Sequence, residues 1–342
     1  FMSKKIKILF IAIVSVLLAF AIVVVAFFAI FPMKPKVQIK SADDRIKNNN
    51  ELIISSYNTA APWGNLIEGT YTTRRLHLFA TQINEVLPDS LGVQEINSDW
   101  VKNLETLLPQ YSYYGVKRGG DNSEKTSEMN GIFYLTEKYD LLESKTFWIS
   151  NTPETESKFD GAGCNRTVSY VVLKNKQNGF SYIHINTHLD NSSEEAQNLG
   201  GELIAKEVVA LREKYGGIKI VITGDFNQYE NDKACETILQ NGFVNANKGD
   251  KTPTYHSWGE NPHTEPIDFI FALFKIELTD GWTLLLMIIF MVCGLPIQLG
   301  YIKKQGYDYD TPLIVFETDN EDIVIDSFDD LTSVNIDLID VV

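Results

Sequence analysis

Six polar residues stand where short apolar runs end. Asn58 lies in SYNT, Glu95 in VQEIN, His188 in NTHLD, Asp225 and Asn227 in GDFN, and Asp268 in PIDFIF. A single Asp behind an apolar run is ordinarily a turn or cap residue. Several such places in order, with these residue types, are hard to assign to turns alone. Carboxylate and amide oxygens suit a hard cation such as Mg²⁺ or Mn²⁺, which takes a few protein oxygens and keeps several waters. Glu95 with Asn58 makes a plausible ligand set. Asp225 could orient or deprotonate a water, Asn227 could fix a phosphate oxygen, and a histidine near neutrality could exchange protons. Those are the parts that hydrolysis of a phosphate ester needs, although spacing alone does not assign the roles.

The elements that must present these residues follow from the pattern. Leu52 to Tyr57 reads as a buried strand. Thr72 to Val86 has helical spacing through Leu76, Phe79, Ile83 and Val86. Ser90 to Gln94 is again a strand and Trp100 to Leu108 a helix. Strands are expected near 131–136, 167–173, 181–187 and 219–223, with a helix near 193–214. Alternation of this kind predicts a layered α/β architecture, in which sites assemble at the carboxyl ends of strands.

The rest of the chain bounds the environment. Residues 8–31 are uncharged, with Ser15 the single polar position, and predict an N-terminal transmembrane anchor (1–32). Lysines before and after it give a weak charge bias, and a short basic N-terminus places the following domain outside the cytoplasm. Residues 33–50 read as a linker and 51–281 as the folded domain. A second apolar run, 282–302, is a spanning candidate interrupted by Gly294, Pro296 and Gly300, and 303–342 form an acidic tail. A net charge of -15 argues against broad binding to long nucleic acid, which is usually met by a basic surface. Cys164, Cys235 and Cys293 read as unpaired small apolar residues.

SYNT, VQEIN, SEMN (127–130), CNR (164–166), NTHLD, GDFN and PIDFIF resemble, in order, the motifs of the endonuclease/exonuclease/phosphatase superfamily. The resemblance covers roughly residues 50–272. FWISNTP (147–153) and the segment around His256 look most like its secreted or anchored bacterial branch. It implies a DNase I-like fold, a two-sheet, four-layer α/β sandwich with Mg²⁺ or Mn²⁺. By motif, Glu95 would be the principal metal ligand assisted by Asn58, and Asp225 would act on the attacking water. His188 would be a catalytic histidine oriented by Glu128 and held in its charged form. Asn227, Arg166, Asn130 and His256 would contact phosphate or substrate. Asp190 reads as structural. His184 reads as a packing residue on the strand face opposite Asn186 and His188.

One part of the family's pattern is missing. Its members end on a Ser-Asp-His strand whose histidine is oriented by the Asp equivalent to Asp268, and here no histidine follows His263. Three explanations compete: a fused or frame-shifted C-terminal segment, an attenuated enzyme or binding module for a phosphorylated ligand, and substitution by His256 or His263. The expectation is a metal-dependent phosphoesterase acting on a phosphate ester. Its rivals are a non-catalytic membrane-anchored binding module and a structural or interaction membrane protein.

Overall fold

A computed structural model describes residues 4–30, 34–48, 51–60, 72–120, 127–246, 250–255, 263–273, 283–288 and 313–315. Helix α1 (Lys4–Ile30) is followed by the short α2 (Asp43–Lys47) and then by β1 (Glu51–Asn58). The first layer pair contains α3 (Thr72–Val86), β2 (Ser90–Ile96), α4 (Ser98–Leu107), β3 (Tyr111–Tyr114) and β4 (Met129–Leu135). The second contains β5 (Tyr139–Trp148), β6 (Thr167–Asn175), β7 (Ser181–His188), α5 (Glu194–Tyr215), β8 (Lys219–Asp225), α6 (Lys233–Gln240), β9 (Val244–Asn245) and β10 (Asp268–Leu273). Strands β11 (Thr283–Ile288) and β12 (Leu313–Val315) complete the set.

The strands form two six-stranded sheets, ordered β12-β11-β1-β2-β4-β3 and β5-β6-β7-β8-β10-β9. Helix α3 buries Leu76, Phe79, Ala80 and Ile83, the i, i+3, i+4, i+7 stripe that a 3.6-residue period places on one side. That stripe joins one core cluster, which reaches through the first sheet to Val171, Val221 and Ile270 of the second. A separate cluster packs α5 and α6 on the outer face of the second sheet. The α/β sandwich expected from the alternating pattern is therefore formed, with helices outside and two sheets facing each other.

The facing sheets meet across a polar seam. His184 of β7 bonds Ser90 Oγ of β2 through Nδ1 (2.7 Å) and Thr223 Oγ1 of β8 through Nε2 (2.8 Å). Asn186 donates to the carbonyls of Val93 and Gly131 and accepts from Gln94 Nε2. Gly92 is required here, because a Cβ would fall 2.0 Å from Thr223 Oγ1. The opposite-face reading of His184 is thus corrected. A two-residue strand period puts 184, 186 and 188 on one face, and the inter-sheet bonds of His184 and Asn186 show them sharing it.

Two expectations about the flanks change. Residues 34–48 are not a free linker but a strap docked on the body. Pro35 O meets His77 Nδ1 at 2.8 Å, Lys40 N donates to Asn84 Oδ1, Arg45 pairs with Asp89, and Lys138 Nζ donates to Asn48 O. Val37 and Ile46 pack on the core and Ala42 is buried, which a polar composition does not reveal. Thr283–Ile288, inside the run read as a second span, is a strand pairing in parallel with β1. A short apolar run fits strand and helix alike, and sheet pairing decided the matter. Residues 289–302, Cys293 among them, lie outside the described residues.

Among the described residues no helix is long and apolar enough to cross a membrane.

Candidate active site

Strands β1, β2, β7, β8 and β10 bring the singled-out residues to one end of the sandwich. His188 and Asp225 are register partners across β7 and β8, and Asp225 and Asp268 are partners across β8 and β10. Three ionisable side chains thus lie in a row across one sheet. Asn58 reaches over from the other sheet, its Nδ2 donating to Glu95 Oε1 and to Asp225 Oδ2, each at 3.0 Å.

Two of these residues are held by unusual backbone. Pairing of β2 with β4 runs Val93↔Gly131 and then Ile96↔Met129, so one extra residue is inserted as a bulge. Glu95 occupies it at φ +56° and Asn227 sits at φ +49°. Positive φ costs a non-glycine residue about 1–3 kcal/mol and persists where surroundings enforce it. For Asn227 the enforcement is its N–H bond to Asp225 Oδ1 (2.9 Å) and its Nδ2 bond to Leu189 O. The bulge re-aims Glu95, leaving it half-buried between residues that are buried.

Burial pushes the Asp225 carboxyl up to about 6, opposed by the Asn227 and Asn58 bonds and reinforced by the Glu95 charge. Burial, then the Asp225 charge, drives Asp268 well above the carboxylate range, with Thr254 and Glu95 as smaller influences. Glu95, Asp225 and Asp268 therefore repel one another in a dry setting. This donor set fits a hard divalent ion held by one or two carboxylates and completed by water. No cage of three His, Cys, Asp or Glu side chains exists among the described residues, as that mode of binding allows.

His188 departs from expectation. Its Nε2 stands 3.6 Å from Asp225 Oδ2, and its Nδ1 is buried with no hydrogen-bond partner among the described residues. Glu128 is instead engaged by Arg118 at 2.6 Å, so the carboxylate–histidine bond to Glu128 is not made. Burial, then Arg166 and Arg118, lowers the histidine's pKa well below normal. The ring is neutral, where the expected carboxylate partner would have charged it.

The other predicted residues divide. Arg166, 5% exposed, belongs to the cleft, with Nη2 on Asn191 Oδ1 and Nε 3.9 Å from Asp190. Asn130 is spent between the sheets, its Nδ2 donating to Thr167 O. Asp190 accepts four backbone N–H groups, from Gly163, Cys164, Ser192 and Ser193, and is a loop-closing residue. His263 bonds Tyr229 OH through Nδ1. His256 lies outside the described residues. Cys164 and Cys235 are free thiols. Arg118 was missed by sequence reasoning. Its one signal was the Gly119-Gly120 pair behind it, both at positive φ.

Known proteins share this fold. The sequence profile described as endonuclease/exonuclease/phosphatase family matches residues 56–272. A structure of a family protein from Bacteroides vulgatus is 27% identical, covering 68% of this chain and 89% of its own with a TM-score of 0.58. One from Bacteroides thetaiotaomicron is 25% identical, covering 64% and 82% with a TM-score of 0.58. A mannosyl-6-phosphatase from the same organism shares the fold at 24% identity and a TM-score of 0.61, covering 70% and 89%. No curated protein sequence matches the chain.

Proposed function

Because the chain belongs to the endonuclease/exonuclease/phosphatase family, we propose that it hydrolyses a phosphate ester by activating water at the Asn58–Glu95–Asp225–His188 cluster. The observation that carries this reading is the convergence of Glu95 and Asp225 on one Asn58 amide, with Glu95 turned out of its strand by a bulge. Glu95, with Asn58 beside it, would hold Mg²⁺ or Mn²⁺, which supplies charge neutralisation for the non-bridging oxygens. Asp225, with a pKa of about 6, is largely ionised at neutrality and suited to take a proton from water. The neutral His188 beside it can donate a hydrogen bond to a phosphate oxygen. Asn227 and Arg166 would bind phosphate.

The missing histidine partner of Asp268 supports a second reading, a binding module that keeps the cleft and has lost most turnover. Full-length chain in detergent, given Mg²⁺ or Mn²⁺ with bis-p-nitrophenyl phosphate and p-nitrophenyl phosphate, separates the two. Hydrolysis abolished by Glu95→Ala supports the enzyme; none in the parent chain supports the module. Activity surviving Glu95→Ala sinks the metal assignment.

We also propose that α1 anchors the domain to a membrane with the cleft outside the cytoplasm. The uncharged run 8–31 supports this, and so do the exposed Phe10, Leu17, Leu18, Phe20 and Val25. Recovery of the chain in a washed soluble fraction would overturn it.

A further inference from the structure

Two arginines, Arg118 and Arg166, stand toward the end of the sandwich that carries the carboxylates. Arg118 is fixed by its backbone. Its N–H donates to Glu128 O, and its carbonyl accepts from Trp148 Nε1 (2.7 Å) and Asn165 Nδ2 (3.2 Å). That last contact sets it beside Arg166. Among the described residues the side chains make one hydrogen bond each, Arg118 Nη1 to Glu128 and Arg166 Nη2 to Asn191. Among the described residues neither buried Nε makes a hydrogen bond, although Arg166 Nε lies 3.9 Å from Asp190 Oδ2, and His188 Nδ1 is likewise buried without one. A buried polar atom left without a hydrogen bond forfeits its hydration, so three at one end of the sandwich need an explanation.

The acids nearby do not supply one. Glu128 is taken by Arg118, Asp190 is occupied by four backbone N–H groups, and Glu156 accepts from Gly120 N. Asn130, two residues after Glu128, donates to Thr167 O beside Arg166, and Val168 pairs with Thr187 beside His188, so the two arginines and the histidine belong to one end of the sandwich. Planar guanidiniums pair best with oxyanions that have two free oxygens to offer. A terminal phosphate has three non-bridging oxygens, enough for the Glu95 side and both arginines. A diester has only two, with one charge.

We propose that Arg118 and Arg166 form a subsite for a dianionic terminal phosphate, which makes the substrate class a phosphomonoester. This deepens the phosphoesterase reading and rests on it for turnover, but the subsite can be tested without turnover. Binding of inorganic phosphate and of dimethyl phosphate to the full-length chain is measured near pH 8 by calorimetry. In parallel, kcat/KM is measured for p-nitrophenyl phosphate and methyl p-nitrophenyl phosphate.

Phosphate is expected to bind at least about tenfold tighter than dimethyl phosphate. Arg118→Gln should lower the monoester kcat/KM by roughly 10–100-fold, mainly through KM, and change the diester less than threefold. Arg118→Lys, which keeps the charge without the planar fork, should recover part of the loss and serves also if Arg118→Gln does not fold. Equal losses for both esters, or equal binding of the two anions, overturn the proposal. If neither ester is hydrolysed and phosphate is still preferred in an Arg118-dependent way, the subsite stands and the catalytic reading fails.

Discussion

Strand β2 carries a buried or half-buried carboxylate near each end, and the two ends are opposites. At the start, fully buried Asp89 is saturated. It accepts from Lys138, Tyr139 OH, Ile53 N–H and Arg45, and Arg45 also holds Glu51. Six residues on, roughly 20 Å along the strand, Glu95 meets the amide of Asn58 and faces two further carboxylates, Asp225 and Asp268. Both ends bury charge. At Asp89 the cations come from the strap and the turn before β5, and an N–H comes from the first sheet, so the cluster sews the domain shut. At Glu95 no Lys or Arg forms an ion pair with the three carboxylates among the described residues, which is how a site that must receive a cation and a phosphate differs from a structural ion pair.

The largest test of that contrast is Glu95→Gln. It keeps an oxygen for Asn58 and removes a charge that disfavours ionisation of Asp225 and Asp268. Turnover should fall roughly 10³-fold or more, the worth of several kcal/mol of charge stabilisation. The melting temperature should hold or rise. A fall of many degrees would show Glu95 to be structural and break the comparison.

Asp89→Asn should do the reverse. Lys138, which burial pushes down and Asp89 pulls up, would lose its carboxylate while fully buried. Breaking such a cluster costs about 3–5 kcal/mol. For a domain of this size that is a drop of roughly 10 °C or more. Calorimetry checks the drop, and turnover per folded molecule should stay unchanged.

Of the two ends, the sequence disclosed the second far better. Glu95, Asp225 and His188 sit in short strand-end motifs, and strand order alone brings them together. Asp89 lies in the plain turn Leu87-Pro88-Asp89, and its partners come from positions 45, 53, 138 and 139. No local pattern announces pairing over such separations. The same limit explains the strap: Arg45 and Lys40 read as linker residues until Asp89 and Asn84 are placed beside them. Within the site, motif order suggested Glu128 as the partner of His188, but a tertiary contact gave Glu128 to Arg118. The misplaced face of His184 had no such excuse, since strand parity alone settles it.

Between the two ends, His184 tests the seam. Burial lowers its pKa to about 3, against roughly 6.5 for an unfolded histidine. The folded state therefore binds fewer protons than the unfolded one between those values. Its contribution is complete above about pH 6.5 and is lost as pH falls toward about 3, at up to ~1.4 kcal/mol per pH unit. Asp225, raised to about 6, acts in the other direction as pH falls from 6 toward 4. The readable quantity is thus the difference between parent and His184→Gln. Urea melts from pH 7 to 4.5 should show the parent losing about 2–3 kcal/mol relative to the variant. Parallel curves would mean that His184 takes up its proton in the fold as readily as in the unfolded chain.

The smallest effect asks whether location alone makes a residue functional. Asn97 stands two positions after Glu95, at the site end, and caps α4 by accepting from Trp100 N at 2.9 Å. It is buried, and the bond gives one of the helix's unpaired N–H groups an acceptor, so its chemistry resembles Asp89 more than Glu95. Asn97→Ala should cost about 1 kcal/mol, a shift of roughly 2–4 °C, and leave kcat within twofold. If turnover fell tenfold with the melting temperature unmoved, nearness to Glu95 would be what counts. Satisfied and unsatisfied polar groups would then no longer separate the structural end from the chemical one.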